Sequence, residues 1–214
     1  LNRVMIVELG VPAWLVSLML ALPLVVAPFR AVTGYQSDVH VSAFGWKRVP
    51  YMWGGTLIQF VGLAIMPFAL LVLSGRGQVM VPDFVGQAAA GMAFLLVGAG
   101  LQTSQTAGLA LATDQASEET RPRVVALLYT MLLVGAVSGS LIFSVLLSEF
   151  TPEHLVQVVQ GSALVVLVLN AIALWKQEPR DPQRAAALKN QVQPKFREVW
   201  AQFIGLPNAR RFLW

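Results

Sequence analysis

The sequence predicts an all-α polytopic membrane protein, and three observations carry that reading. Apolar residues make up 56% of the 214 positions and charged residues only 12%, whereas a soluble domain is about a quarter charged. Mean hydropathy is +0.65. Apolar runs longer than about 18 residues recur along the chain, enough to cross a bilayer as helices. These runs do not alternate polar and apolar as barrel strands do, and only helices and closed barrels satisfy their backbone in lipid.

The chain opens on LNRVMIVELG, residues 1–10, which reads as the end of a preceding transmembrane helix. It has no initiator Met, and the basic, apolar and cleavage regions of a secretory signal are missing. Five full spans follow, in a bundle over 11–176. They run from about Pro12 to Val32, Tyr51 to Leu73, Gly86 to Thr113, Val124 to Leu147 and Leu155 to Trp175. Each suffices for a hydrocarbon core of about 30 Å at about 1.5 Å per residue. Residues 177–214 form a basic linker punctuated by Pro179, Pro182 and Pro194. Within it Phe196, Val199, Trp200 and Phe203 fall at i, i+3, i+4 and i+7, the pattern of an amphipathic helix. Such a helix suits an anionic membrane surface, and equally a connection between two membrane halves. The closing FLW reads as the start of a further helix. The expectation is spans two to six of a larger bundle.

Charge sets the expected orientation. The 30–48 loop, the 114–123 loop and the tail from Lys176 onward carry 13 of the 15 Lys and Arg residues. Positive residues stay on the cytoplasmic side, which places those segments there and the 74–85 and 148–154 loops opposite. This distribution also accounts for the net charge of +4 without a nucleic-acid partner. The chain has no cysteine, which excludes disulfides, a thiol nucleophile and thiolate metal sites.

Polar residues within the spans include Gln59, Gln102, Thr103, Ser104, Gln105, Thr106 and Asn170. Gln102 and Gln105 are three apart and share a helix face. The stretch LQTSQTAG can serve interhelical hydrogen bonding, worth about 0.6 kcal/mol per pair in lipid, or line a ligand pocket. Arg3 and Glu8 are five apart, beyond a good i,i+4 pair. Arg30 is expected to end the first span and reach the cytoplasmic surface.

Three places resemble the major facilitator superfamily. GYQSD followed by GWKR is similar to its loop between helices two and three: Gly34 and Asp38 keep the spacing, and Gly45, Lys47 and Arg48 supply the second part. Six residues separate Asp38 from Gly45, where the usual pattern has two. ATDQASEETRPRVVAL, residues 112–127, resembles the acidic-then-Arg turn between helices four and five. GAVSG, Gly135 to Gly139, is a small-xxx-small pattern of the kind that lets helices approach closely. The resemblance implies a major-facilitator-like bundle, here the N-terminal half with its cytoplasmic linker. It also implies a structural charge clamp from Gly34, Asp38, Lys47, Arg48, Asp114, Arg121 and Arg123. The expected pairs are Asp38 with Arg121 or Arg123, and Asp114 or Glu118 with Lys47 or Arg48.

The match is closer at one branch. LNRVMIVELGVPAWLV, GWKRVPYMWGGTLIQFVGLAIMPFALLVLSG, QTAGLALATD and RPRVVALLYTMLLVG resemble the PucC/LhaA family over about residues 1–180. That resemblance implies an assembly factor for LH1 or LH2 light-harvesting complexes in the inner (chromatophore) membrane of purple phototrophic bacteria. It implies bacteriochlorophyll as cofactor or cargo, and the antenna α and β polypeptides as partners, with the reaction-centre complex as a further candidate. Pigment-binding candidates are then Gln102, Gln105, Asn170, His154 and His40. Magnesium accepts hard oxygen donors and an imidazole can ligate it, although His40 in a loop and His154 at a membrane interface suit ordinary surface roles.

No P-loop, Gly-x-Ser-x-Gly or His-Glu-x-x-His motif occurs, so no enzymatic activity is expected. The alternative function is a secondary transporter, which needs a central polar or charged site. Only the Gln102–Gln105 patch and Asn170 approach that depth and neither is charged, which favours the assembly factor.

Overall fold

A computed structural model of the chain describes residues 1–39, 42, 45–75, 82–178 and 196–205. Those residues form helices joined by short turns, among them five helices long and apolar enough to cross a membrane. The protein is thus an all-helical, polytopic membrane bundle.

The first residues make a π-turn, Val4–Glu8, with Leu9 N–H donating to the Val4 carbonyl at 2.9 Å. A π-helix closes i to i+5. Residues five apart therefore come into register, and Arg3 Nη2 lies 3.7 Å from Glu8 Oε1. The spacing that disfavoured this pair on an α-helix is the one a π-turn satisfies.

α1 spans Ala13–Val25 and α2 spans Arg30–Val39, joined through a 3₁₀ turn at Ala27–Phe29. Pro28 cannot donate a backbone hydrogen bond, which breaks the α ladder there without ending the helical path. Together they make one span, Ala13–Val39. The sequence reading ended this span at Val32 because charge appears at Arg30. A helix satisfies its own backbone whatever its side chains, so the path continues and Arg30 falls inside the span.

The remaining spans match their expected positions to within about three residues: α3 (Val49–Leu73), α4 (Asp83–Gln115), α5 (Arg121–Leu146) and α6 (Pro152–Ala173). Pro occupies the first turn of α3, α5 and α6, where its missing N–H costs nothing. Thr151 caps α6 by accepting from His154 N–H. α7 (Phe196–Gly205) rests Phe196 edge-on against Tyr35 of α2, with ring centroids 5.3 Å apart, and stacks Phe196, Trp200 and Phe203 along one face.

α3 packs most extensively against α4, because small residues let the backbones touch. A Cβ on Gly55 would lie 2.5 Å from Ser104 Oγ and 2.7 Å from the Gly100 carbonyl oxygen. A Cβ on Gly100 would strike the backbone of Gly55 and Gln59. The GAVSG glycines do not act this way: nothing lies within 4 Å of a Cβ built on Gly135 or Gly139. Instead they line an open cavity of about 440 Å³ shared with Met66, Phe143 and Arg3. A small-residue spacing permits close approach but does not supply the partner.

The apolar core gathers Met5, Val16, Met19, Leu70, Leu155 and Val159, toward the ends of α3 and α4 that meet at the 74–82 connection. α5 contributes no buried residue, and Leu133, Leu141 and Val145 are 66%, 64% and 73% exposed. In water that surface would be anomalous. In lipid it is the ordinary exterior, since the chains around it are as apolar as leucine.

Candidate functional site

The α2, α3, α4 and α6 helices bring Val39, Val49, Gln115 and Ala173 to one end of the bundle. Arg48 precedes α3 there and is 8% exposed. Its guanidinium meets three acceptors. Nε and Nη2 donate to Asp114 Oδ2 at 3.2 and 3.1 Å, Nη1 donates to Ser37 Oγ at 2.6 Å, and Nη2 also pairs with Asp38 Oδ1. Ser37 is fully buried and passes its own proton to the Gly34 carbonyl at 2.8 Å. Gly34, Ser37 and Asp38 thus act as one unit on the last turn of α2. An arginine offers five N–H donors in a planar fork, which suits it to bind two helices at once.

A second device joins α6 to the same point. Glu178, just past α6, accepts from the backbone N–H groups of Lys47, Arg48 and Val49 at 2.7, 3.1 and 3.2 Å. These are the orphan donors at the start of α3, and a carboxylate there also meets the positive end of the helix dipole. Beside it, Gln115 Nε2 donates to the Gln177 carbonyl at 2.6 Å. Gly45 has φ +85° and closes the turn that leads in, with Gly45 N–H donating to the Ser42 carbonyl at 2.9 Å. That left-handed backbone favours glycine.

Of the clamp residues read from the sequence, Asp38, Arg48 and Asp114 come together. Asp38 pairs with Arg48, and not with Arg121 or Arg123, because it sits on the same turn as Ser37, facing the loop that carries Arg48. Arg121 Nε donates instead to the Thr113 carbonyl at 3.2 Å, capping the end of α4. Arg123 is exposed on the first turn of α5. Lys47 takes part through its backbone N–H. Ser37 and Glu178 were missed. Ser37 stood within GYQSD as an unremarked letter, and Glu178 is reached only across 129 to 131 residues of sequence.

The pigment candidates are dispersed. Asn170 Nδ2 donates back to the Val166 carbonyl at 2.9 Å, and His154 Nδ1 lies 3.2 Å from the Glu149 carbonyl at the opposite end. His40 lies outside the described residues. On α4, Thr103 and Thr106 bond back to the carbonyls of Ala99 and Gln102, while Ser104 Oγ crosses to the Met52 carbonyl at 3.2 Å. Gln102 Oε1 is buried with no partner among the described residues. Gln105 lines an open cavity of about 460 Å³ together with Arg30, whose Nε donates to Thr106 Oγ1 at 3.1 Å. A charge therefore stands beside the polar patch, because α2 extends the first span past Arg30.

The family profile described as PUCC protein matches residues 1–214. The chain is 55% identical over its whole length to "Protein PucC" of Rhodovulum sulfidophilum and 54% identical to "Protein PucC" of Rhodobacter capsulatus, covering 48% and 46% of those proteins. It is 27% identical over 99% of its length to the "Bacteriochlorophyll synthase 44.5 kDa chain" of Rhodobacter capsulatus, covering 46% of it. The chain spans about half the length of the curated relatives it matches. No solved structure matches it. With a family profile over every residue and identities above half, the chain belongs to the PucC family.

Proposed function

We propose that this protein is an assembly factor for photosynthetic light-harvesting complexes, LH1 or LH2, in a bacterial inner membrane. It binds or delivers bacteriochlorophyll, contacts the antenna α and β polypeptides, and acts by binding without a catalytic step. The observation that carries this reading is the whole-chain similarity to PucC proteins, supported by a relative whose name includes bacteriochlorophyll synthase. In this reading the basic end, with Arg48 and Glu178, is cytoplasmic, and the bundle is the N-terminal half of a major-facilitator-like protein.

The residues present suit a magnesium chlorin as cargo. A buried amide oxygen without a partner among the described residues, Gln102 Oε1, is a hard donor of the kind magnesium accepts. The exposed apolar length of α5, with Leu133, Leu141 and Val145, is a surface on which a single-span antenna helix could pack. The test is co-purification in mild detergent while antenna synthesis is running. Bacteriochlorophyll and antenna polypeptides are expected to travel with the full-length protein, and absence of both would overturn the reading.

A second reading, a secondary transporter, gains from one observation. Arg30 lies inside a span beside Gln105, and an intramembrane ionisable residue marks a functional site by default. Arg30-dependent uptake of a labelled solute into liposomes would favour it.

A further inference from the structure

The cavity beside Arg30 carries an inference that does not rest on the function proposed above. It opens between α2, α3, α4 and α5 and holds about 460 Å³. Three groups that can donate hydrogen bonds line it: the Arg30 guanidinium, the Gln105 amide and the Tyr129 hydroxyl. Arg30 spends Nε on Thr106. The ion pairs among the described residues join Arg3 to Glu8 and Arg48 to Asp38 and Asp114, so Arg30 has no carboxylate partner among them. Among the described residues, Gln105 and Tyr129 make no side-chain hydrogen bond.

The site is also set back from the helix ends. Arg30 lies nine residues inside Val39, Gln105 ten inside Gln115 and Tyr129 eight inside Arg121. At about 1.5 Å per residue these are about 14, 15 and 12 Å from the helix ends. A guanidinium set among apolar helices without a counter-ion is costly, and Arg30 lines a space walled also by Leu109, Leu128 and Leu132. Tyr129 and Leu132, 55% and 48% exposed, leave the α5 side open toward the membrane. A few donors set in an apolar wall select a ligand by its polar head and hold it by its apolar body. An arginine fork matches the planar or tetrahedral oxygens of a carboxylate or phosphate.

We propose that this cavity binds an amphipathic oxyanion, with its carboxylate or phosphate oxygens on Arg30, Gln105 and Tyr129 and its apolar chain leaving over Leu128 and Leu132. Two sources share this chemistry: an anionic membrane phospholipid and a free amphipathic carboxylate.

The experiment reconstitutes the full-length protein in phosphatidylcholine vesicles doped with phosphatidylglycerol. It extracts the protein gently and reads the retained lipid by native mass spectrometry. Phosphatidylglycerol is expected to be retained over phosphatidylcholine by at least about tenfold. That preference should be lost in Arg30→Gln, kept in part in Arg30→Lys, and lost again in Leu132→Trp, which fills the cavity and leaves the charge. Displacement by laurate assigns the site to a free carboxylate, and failure of laurate assigns it to the lipid. Equal retention of the two lipids overturns the proposal, as does undiminished phosphatidylglycerol in folded Arg30→Gln. Displacement by inorganic phosphate as readily as by laurate overturns the need for an apolar body. If Arg30→Gln fails to fold, Leu132→Trp decides.

Discussion

The Arg48 guanidinium donates through both Nε and Nη2 to a single oxygen of Asp114, at 3.2 and 3.1 Å. That one contact ties the start of α3 to the end of α4, and Ser37 and Asp38 add the end of α2. The two carboxylates are 57% exposed while the Arg48 side chain is 10% exposed. The asymmetry predicts unequal losses. Arg48→Leu strands buried Ser37 and unties three helix ends at once, at a cost of about 2–3 kcal/mol. Asp38→Asn and Asp114→Asn each remove a solvated partner, and each costs about 1 kcal/mol or less. Thermal unfolding in detergent, read by loss of helical signal, checks the order, and equal losses across the three variants would contradict it.

Glu178 predicts a local effect. Its carboxylate is the acceptor for three backbone N–H groups at the start of α3. Glu178→Ala should cost about 1 kcal/mol, as lost helix caps do. Amide hydrogen exchange at Lys47, Arg48 and Val49 should then quicken by about fivefold, the factor that about 1 kcal/mol represents. Exchange in the middle of α4 should not change. A uniform rise across the bundle would mean that Glu178 supports global stability and not a cap.

The helices were legible in the sequence because lipid leaves the backbone one economical solution, and the apolar run lengths report it directly. Legibility failed where local rules gave way to geometry. Arg30 looked like a helix end because charge normally marks the membrane boundary, yet the helix ran on to Val39. Arg3 and Glu8 looked unpaired because an α-helix was assumed where a π-turn forms. Asp38 and Arg48 were visible within one motif, but their partnership needs Ser37 buried between helix and loop. Glu178 was invisible, since no spacing rule connects a residue after the last span to the start of the second.

The glycines separate motif from contact. Gly55→Ala and Gly100→Ala each drive a methyl into backbone of the facing helix. Separation of α3 and α4 should cost about 1–3 kcal/mol, the usual range for overpacking. Gly135→Ala and Gly139→Ala meet nothing within 4 Å and should hold or slightly raise stability, since alanine is the better helix former. Melting temperatures of the four variants test the contrast. A loss at Gly135 or Gly139 without change in the isolated protein's melting, seen only as weaker antenna co-purification, would place a partner helix on that face.

Gln102 separates structure from function most sharply. Its Oε1 is buried without a partner among the described residues, and an unmade buried hydrogen bond costs about 1–3 kcal/mol. A residue kept only for folding should gain from losing that oxygen. Gln102→Leu is therefore expected to leave stability unchanged or raise it by about 1 kcal/mol. If the oxygen serves a magnesium chlorin, the same variant should lose bound pigment, while Asn170→Leu, whose amide already bonds back to Val166, should not. Stability comes from thermal unfolding and pigment content from the absorption spectrum of the purified protein. A variant that is more stable and keeps its full pigment would remove Gln102 from the site. One that is less stable would mean that the oxygen is satisfied within the full-length protein.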